Sequence, residues 1–133
     1  MDANALQAAS EAARRFSVRI GEEVEMQCLL PTRLEERFVA RESMVGRELN
    51  TLRMNHAFLT AGVIGWSGVR QCHLVPGAAR DPLGFDAATL RLALAERTDW
   101  FDELAGEFAR RLNERRERFE ADEGNSSSVS PGS

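Results

Sequence analysis

Apolar residues alternate along two short stretches near the start of the chain: Phe16, Val18 and Ile20, then Val24, Met26 and Cys28. Period two on either side of Gly21-Glu22 predicts a β-hairpin with one covered face. A lone hairpin is marginal in water, so the rest of the chain must pack on it. Ahead of it, Ala3 to Arg15 is rich in Ala, with Gln7 and Glu11, and predicts a short helix or frayed arm. Past Pro31 the pattern turns helical. Thr32-Arg33-Leu34-Glu35 fits a capping box, in which the threonine oxygen and the glutamate satisfy backbone N–H groups at the helix start. Leu34, Phe38 and Val45 form a partial stripe that Gly46 breaks or kinks.

A second helix is predicted from about Arg47, with Leu49, Leu52, His56, Leu59 and Val63 on one row and Met54, Phe58 and Ala61 on another. A helix apolar on two faces belongs near the centre of the fold. Gly62-Val-Ile-Gly-Trp-Ser-Gly-Val69 reads as the end of that helix, its glycines permitting tight turns. Gln71 to Val75 reads as a short strand and Pro76 to Gly84 as a loop. Asp86 suits an N-cap, with Phe85 placed to staple onto Leu90, for a helix through Leu92, Leu94 and Ala95. Thr98 or Asp99 caps a last helix with Phe101, Leu104, Phe108, Leu112 and Phe119 on one broad stripe. The polar end beginning near Gly124 has too little apolar surface to offset its ordering entropy. The expectation is an α+β fold, mainly α-helical, with an N-terminal β-hairpin packed on the helices. It divides into an arm (1–15), a single globular domain (16–122) and a disordered polar tail (123–133).

Composition changes this picture mainly by exclusion. The net charge is −4, which argues against general nucleic-acid binding and against adhesion to an anionic membrane. All 17 basic residues are arginine. The basic run Arg110, Arg111, Arg115, Arg116, Arg118 is interleaved with Glu107, Glu114, Glu117 and Glu120, with Glu114 placed to pair with Arg118, so helical ion pairs account for it. Two cysteines make no disulfide framework, residues Met1 to Arg15 lack a signal-peptide core, and no apolar run reaches membrane-spanning length. A reducing cytoplasm is the expected compartment.

No catalytic pattern emerges. Cys28, Cys72, His56 and His73 lack metal-ligand spacing, and Cys72 and His73 are neighbours that a strand would point to opposite faces. Ser67 in Gly65-Trp-Ser-Gly68 departs from the Gly-x-Ser-x-Gly nucleophile pattern, with Gly68 one place early. The Gly62, Gly65, Gly68 spacing is no phosphate loop. The acidic pairs Glu22/Glu23 and Glu35/Glu36 read as solvated faces. Trp66 is open between core and interface, and Trp100 reads as core. No enzyme activity, cofactor or metal is expected.

One arrangement resembles a known family. An apolar helix containing Phe58-Leu59 leads into Val63-Ile-Gly-Trp-Ser-Gly-Val69, then a polar loop, then Pro82-Leu-Gly-Phe-Asp86 at a helix start. A charged helix and a Gly-Asn-Ser-Ser end follow. This is similar to the tail assembly chaperones of long-tailed bacteriophages and prophages, which carry a Gly-Trp-x-Gly-Val element before a Pro-Leu-x-Phe-(Ser/Asp) helix start. The resemblance covers roughly residues 16 to 125, its specific part about Phe58 to Leu94. It implies a chaperone in the cytoplasm of the bacterial host. Such a protein binds the long helical tape measure protein, keeps it soluble, and helps recruit tail tube subunits. The family also implies short and long forms made by a translational frameshift. The alternative is another small phage structural protein, such as a head–tail connector or tail completion subunit. An enzyme of unknown type is the third reading. The expected interaction residues are Phe58, Ile64, Trp66 and Val69 for the client, and Phe108, Leu112 and Phe119 for self-association into a homo-oligomer.

Overall fold

Asp2 begins the first element: its carboxylate accepts a bond of 2.8 Å from the N–H of Ala5 and caps α1 (Ala3–Arg14). No residue of α1 is buried, so the helix stands as an arm on the body. Arg15 follows directly as the first residue of β1 (Arg15–Ile20), and Gly21 at φ 63° turns the chain into β2 (Val24–Leu29). The computed structural model describes residues 1–129. In the hairpin Val18 lies opposite Met26 and Ile20 opposite Val24, and these four are buried with Cys28 while Ser17, Arg19 and Gln27 face out. The alternation therefore predicts both the register and the buried face.

The capping box at Thr32 is present in full. Thr32 Oγ1 accepts from the Glu35 N–H at 3.2 Å, and Glu35 Oε1 accepts from the Thr32 N–H at 2.9 Å. Those bonds hold the Glu35 carboxyl below its ordinary range. The resulting α2 (Arg33–Glu42) is shorter than the sequence stripe suggested. Val45 leaves the helix for a small hairpin of β3 (Met44–Val45) and β4 (Glu48–Leu49), turned by Gly46 at φ 64°. That hairpin takes Leu49 out of the next helix as well. Asn50 caps α3 (Thr51–Gly62) by accepting from the Arg53 N–H at 3.0 Å.

Two segments differ in kind from the sequence expectation. Val63–Ser67 is a strand, β5, paired antiparallel to β2, which makes the sheet three-stranded in the order β1-β2-β5. The register shifts between Gln27 and Cys28, so Val63 and Trp66 turn to the core side while Ile64 stays at the surface. A bulge of this kind breaks period two, and with glycines at 62, 65 and 68 the stretch looks like a helix end. Gln71–Leu74, read as a strand, is instead a single helical turn, α4. It is fixed by Arg70, whose N–H donates to His73 Nδ1 at 3.0 Å, and by the Gln71 and Cys72 N–H groups, which bond the carbonyls of Asp81 and Ala79.

The last two helices are α5 (Ala87–Glu96), capped by Asp86 on the Thr89 N–H at 2.7 Å, and α6 (Thr98–Val129). The bound Thr89 backbone and hydroxyl also lower the Asp86 carboxyl from its ordinary value. Trp100, Phe101, Leu104, Phe108 and Leu112 line the buried face of α6 and meet the inner side of the sheet together with α3 and α5. The fold is α+β and mainly helical, with the antiparallel hairpin packed on helices. The polar tail expected over 123–133 overlaps the end of α6, and residues 130–133 lie outside the described residues.

Two glycines in the misread segment permit close approach. A Cβ on Gly62 would lie 2.7 Å from the Phe108 ring and 2.9 Å from the Leu29 carbonyl oxygen. One on Gly68, at φ 80°, would lie 1.7 Å from the Glu23 oxygen. Gly46 has a similar φ of 64° but open space around it. Gly68→Ala is therefore expected to cost more than about 2 kcal/mol, through strain and backbone displacement together. Gly46→Ala is expected to cost about 1 kcal/mol, from conformation alone. Urea midpoints of the two variants check the order; equal losses would contradict it.

Candidate interaction surface

Reactive groups are scattered. Among the described residues no three His, Cys, Asp or Glu side chains gather closely enough to hold a metal ion. Cys28 is 1% exposed, and burial pushes its thiol up to about 12, which leaves it protonated and inert. Cys72 is half-buried. His56 is exposed on α3. His73 accepts from the Arg70 backbone, and its ring packs steeply inclined against Trp100, with centroids 5.6 Å apart. That arrangement fastens α4 to α6. Ser67 is exposed at the end of β5, an edge strand.

The two sequence elements that suggested a family meet in space. Trp66 Nε1 donates to the Leu83 carbonyl at 2.8 Å, and the Leu83 N–H donates to the Val69 carbonyl at 2.8 Å. The Trp66 and Phe85 rings pack edge to face with centroids 5.1 Å apart. Gly65–Val69 and Pro82–Asp86 thus form one unit, and the segment between them, which includes α4, returns to it. Trp66 is half-buried in this unit, and its indole N–H is satisfied there.

The expected interaction residues divide. Phe58, Val69, Phe108 and Leu112 belong to the core and are withdrawn from any partner of the folded chain. For Phe58, Phe108 and Leu112, the helical stripes that suggested them face the core. Ile64 is partly exposed on β5, and Phe119 is 39% exposed where α6 extends past the body. Trp100 is buried, as its place beside Phe101 predicts.

A different surface stands out. α2 has no buried residue, and its Leu34 and Phe38, one turn apart, are 58% and 53% exposed. Between α2 and α6 runs an open groove of about 610 Å³, with Arg33, Leu34 and Arg37 on one wall and Arg115, Arg116 and Phe119 on the other. Its floor is latched by Glu36, whose two oxygens meet Arg115 Nη2 at 3.0 Å and Arg116 Nη2 at 3.4 Å. Arg115 Nη1 also donates to the Pro31 carbonyl at 2.7 Å. The Arg33 guanidinium lies 3.9 Å over the Phe119 ring. Beyond that pair a second groove, of about 530 Å³, opens between α1 and α6 over Ala13, Leu30, Arg111 and Arg118.

Sequence reasoning placed Leu34 and Phe38 on a helix stripe and assigned them no partner. The available signal was their company: Arg33, Arg37 and Arg41 recur at four-residue spacing beside them, where a core-facing stripe would carry small or apolar neighbours. The arginine-rich part of α6 behaves as expected in kind. Glu107 pairs with Arg110 and, at 3.0 Å, with Arg111, and the Arg110 contact holds the Glu107 carboxyl below its usual value. Glu114 pairs with Arg110 and not with Arg118 as predicted. It lies between them, one turn from each, and takes the earlier partner.

Comparison with known proteins gives no relative: no family model, no curated protein and no solved structure matches the chain. The burial of the thiols gives a direct check on the interior. A thiol reagent at mildly alkaline pH is expected to label Cys72 in the folded chain, with Cys28 reacting only in denaturant. Rapid labelling of both without denaturant would show that the β1–β2 face is open.

Proposed function

We propose that this chain is a binding protein for a helical partner, and more narrowly a phage tail assembly chaperone that holds the tape measure protein in solution during tail tube assembly. The observation that carries this reading is the exposed apolar and arginine-lined groove between α2 and α6. Helical clients dock in such grooves through apolar residues at three- and four-residue spacing. Burying an exposed side chain such as Leu34 contributes roughly 1.5–3 kcal/mol, so one groove alone binds weakly. Many copies along one long client multiply that affinity without new kinds of contact. The union of Gly65–Val69 with Pro82–Asp86 supports the family resemblance, because the two elements are parts of one unit. No catalytic group is required for the role. The protein would act in the host cytoplasm, with tail tube subunits as further partners.

A second reading has its own support. α1 has no buried residue, as suits an arm that packs on neighbouring copies in a head–tail connector or tail completion subunit. The two readings part in the virion, which retains a connector ring and excludes a chaperone.

Co-expression with the tape measure protein encoded in the same genome tests the proposal. The client is expected to be soluble with the chain and to precipitate without it. Equal solubility in both cases ends the chaperone reading.

A further inference from the structure

The α2 face gathers arginines beside exposed apolar residues. The protein carries a net −4, yet the walls of the α2–α6 groove hold Arg33, Arg37, Arg115 and Arg116 with Glu36 as their one acid. Both oxygens of Glu36 are already engaged by Arg115 and Arg116. On α6, by contrast, Arg110 and Arg111 are neutralised by Glu107 and Glu114. Arg37 and Arg41 have no ion pair and no side-chain hydrogen bond among the described residues. They flank Leu34 and Phe38 around a shallow recess of about 270 Å³. A guanidinium takes a carboxylate bidentately. From Arg33 to Arg41 the strip extends about 12 Å along the helix, or roughly two turns. Acidic residues bound it: Glu42 follows on α2, and Glu120 and Glu123 follow on α6.

We infer that this face takes an acidic amphipathic helix of the client. Its apolar row seats on Leu34, Phe38 and Phe119, and its carboxylates meet Arg37 and Arg41. The inference rests on the reading of the α2 face as the docking place and adds the chemistry of what docks. Charge complementarity selects the occupant. A basic helix is repelled by the arginines, and a neutral one leaves them without partners. A nucleic-acid strand would satisfy the arginines but leave the Leu34–Phe38 row uncovered.

The test uses the full chain and three fluorescent probes. One is a helix-forming peptide of roughly 20 residues, with leucines at i, i+3, i+4 and i+7 and glutamates flanking them. The second has lysines for the glutamates. The third is a single-stranded oligonucleotide of matching charge. Anisotropy is expected to show the acidic peptide bound at least about tenfold more tightly than either other probe. Its affinity should weaken several-fold between about 50 and about 300 mM salt. R37E combined with R41E is expected to abolish the preference or reverse it, and Phe38→Ser to weaken acidic binding without reversing it. Circular dichroism confirms that each variant is folded, and R19E, on the outer sheet face, serves as a control with unchanged binding. Equal binding of the two peptides, preferred binding of the oligonucleotide, or an unchanged preference in the folded double variant overturns the inference. If the tape measure protein is kept soluble while the acidic peptide fails to bind, the chaperone reading stands and the client docks elsewhere. If the peptide binds and the client is not kept soluble, the surface chemistry holds and the chaperone reading fails.

Discussion

The ring of Phe108 against the bare α-carbon of Gly62 is the contact on which the rest of the packing depends. At that point α3 ends, β5 begins and α6 crosses over both. The same ring meets Phe16 of β1 edge to face, with centroids 5.0 Å apart, so the first strand of the hairpin is tied to the same place. Any side chain on residue 62 would push α6 away from the sheet. Val18, Met26, Leu59 and Leu104 around it would then lose dispersion contacts and admit water. A single absent methyl group thus sets the spacing of the layers. The Arg111 guanidinium, 4.3 Å over the outer side of Phe16, closes the stack toward solvent.

How far the fold is legible in the sequence follows from whether its signals are local. Gly21 and the alternation on each side of it specify the hairpin within a dozen residues, and Thr32, Asp86 and their partners specify two helix starts within four. β5 is hidden from a local reading because its reason for being a strand lies at β2, far away in the chain, and because the bulge at Gln27 and Cys28 disguises its pattern. α4 escapes a local reading for a similar reason. The carbonyls that accept its first N–H groups belong to Ala79 and Asp81. The candidate surface was less legible still. A helical stripe of Phe108 and Leu112 looks the same in sequence whether it faces a sheet or a partner. Leu34 and Phe38 face outward because α3 and α6 leave that side of α2 uncovered, which is a fact of tertiary packing.

Arginine serves three separate physical purposes here, and the absence of lysine makes the division visible. Arg110 and Arg111 offset glutamates one turn away and stabilise an exposed helix by small increments. Arg115, 16% exposed, joins α6 to the Pro31 carbonyl and to Glu36, and its planar fork allows both at once. Arg33 and Arg97 lie over the faces of Phe119 and Trp100, where a guanidinium covers an aromatic ring more fully than an ammonium could. Arg97 also engages both oxygens of Asp99, which holds that carboxyl below its ordinary value. Arg37 and Arg41 serve none of these uses and lie beside the least covered apolar residues of the helix that carries them.

The loop between the two joined motif elements is closed at its base in successive steps. Val69 bonds Leu83, Gln71 bonds Asp81, and Cys72 bonds Ala79. Beyond those bonds and the turn of α4, whose Leu74 is in the core, Val75 to Ala78 is a short excursion with Gly77 at φ 83° and no element resting on its tip. Its length is therefore decoupled from the packing of the body. Each doubling of such a loop costs only about 0.6 kcal/mol of closure entropy. Divergence among chains of this architecture can accumulate in that excursion without disturbing the Trp66 contact beneath it. Two descendants of one ancestor could come to differ in length there while sharing an unchanged frame.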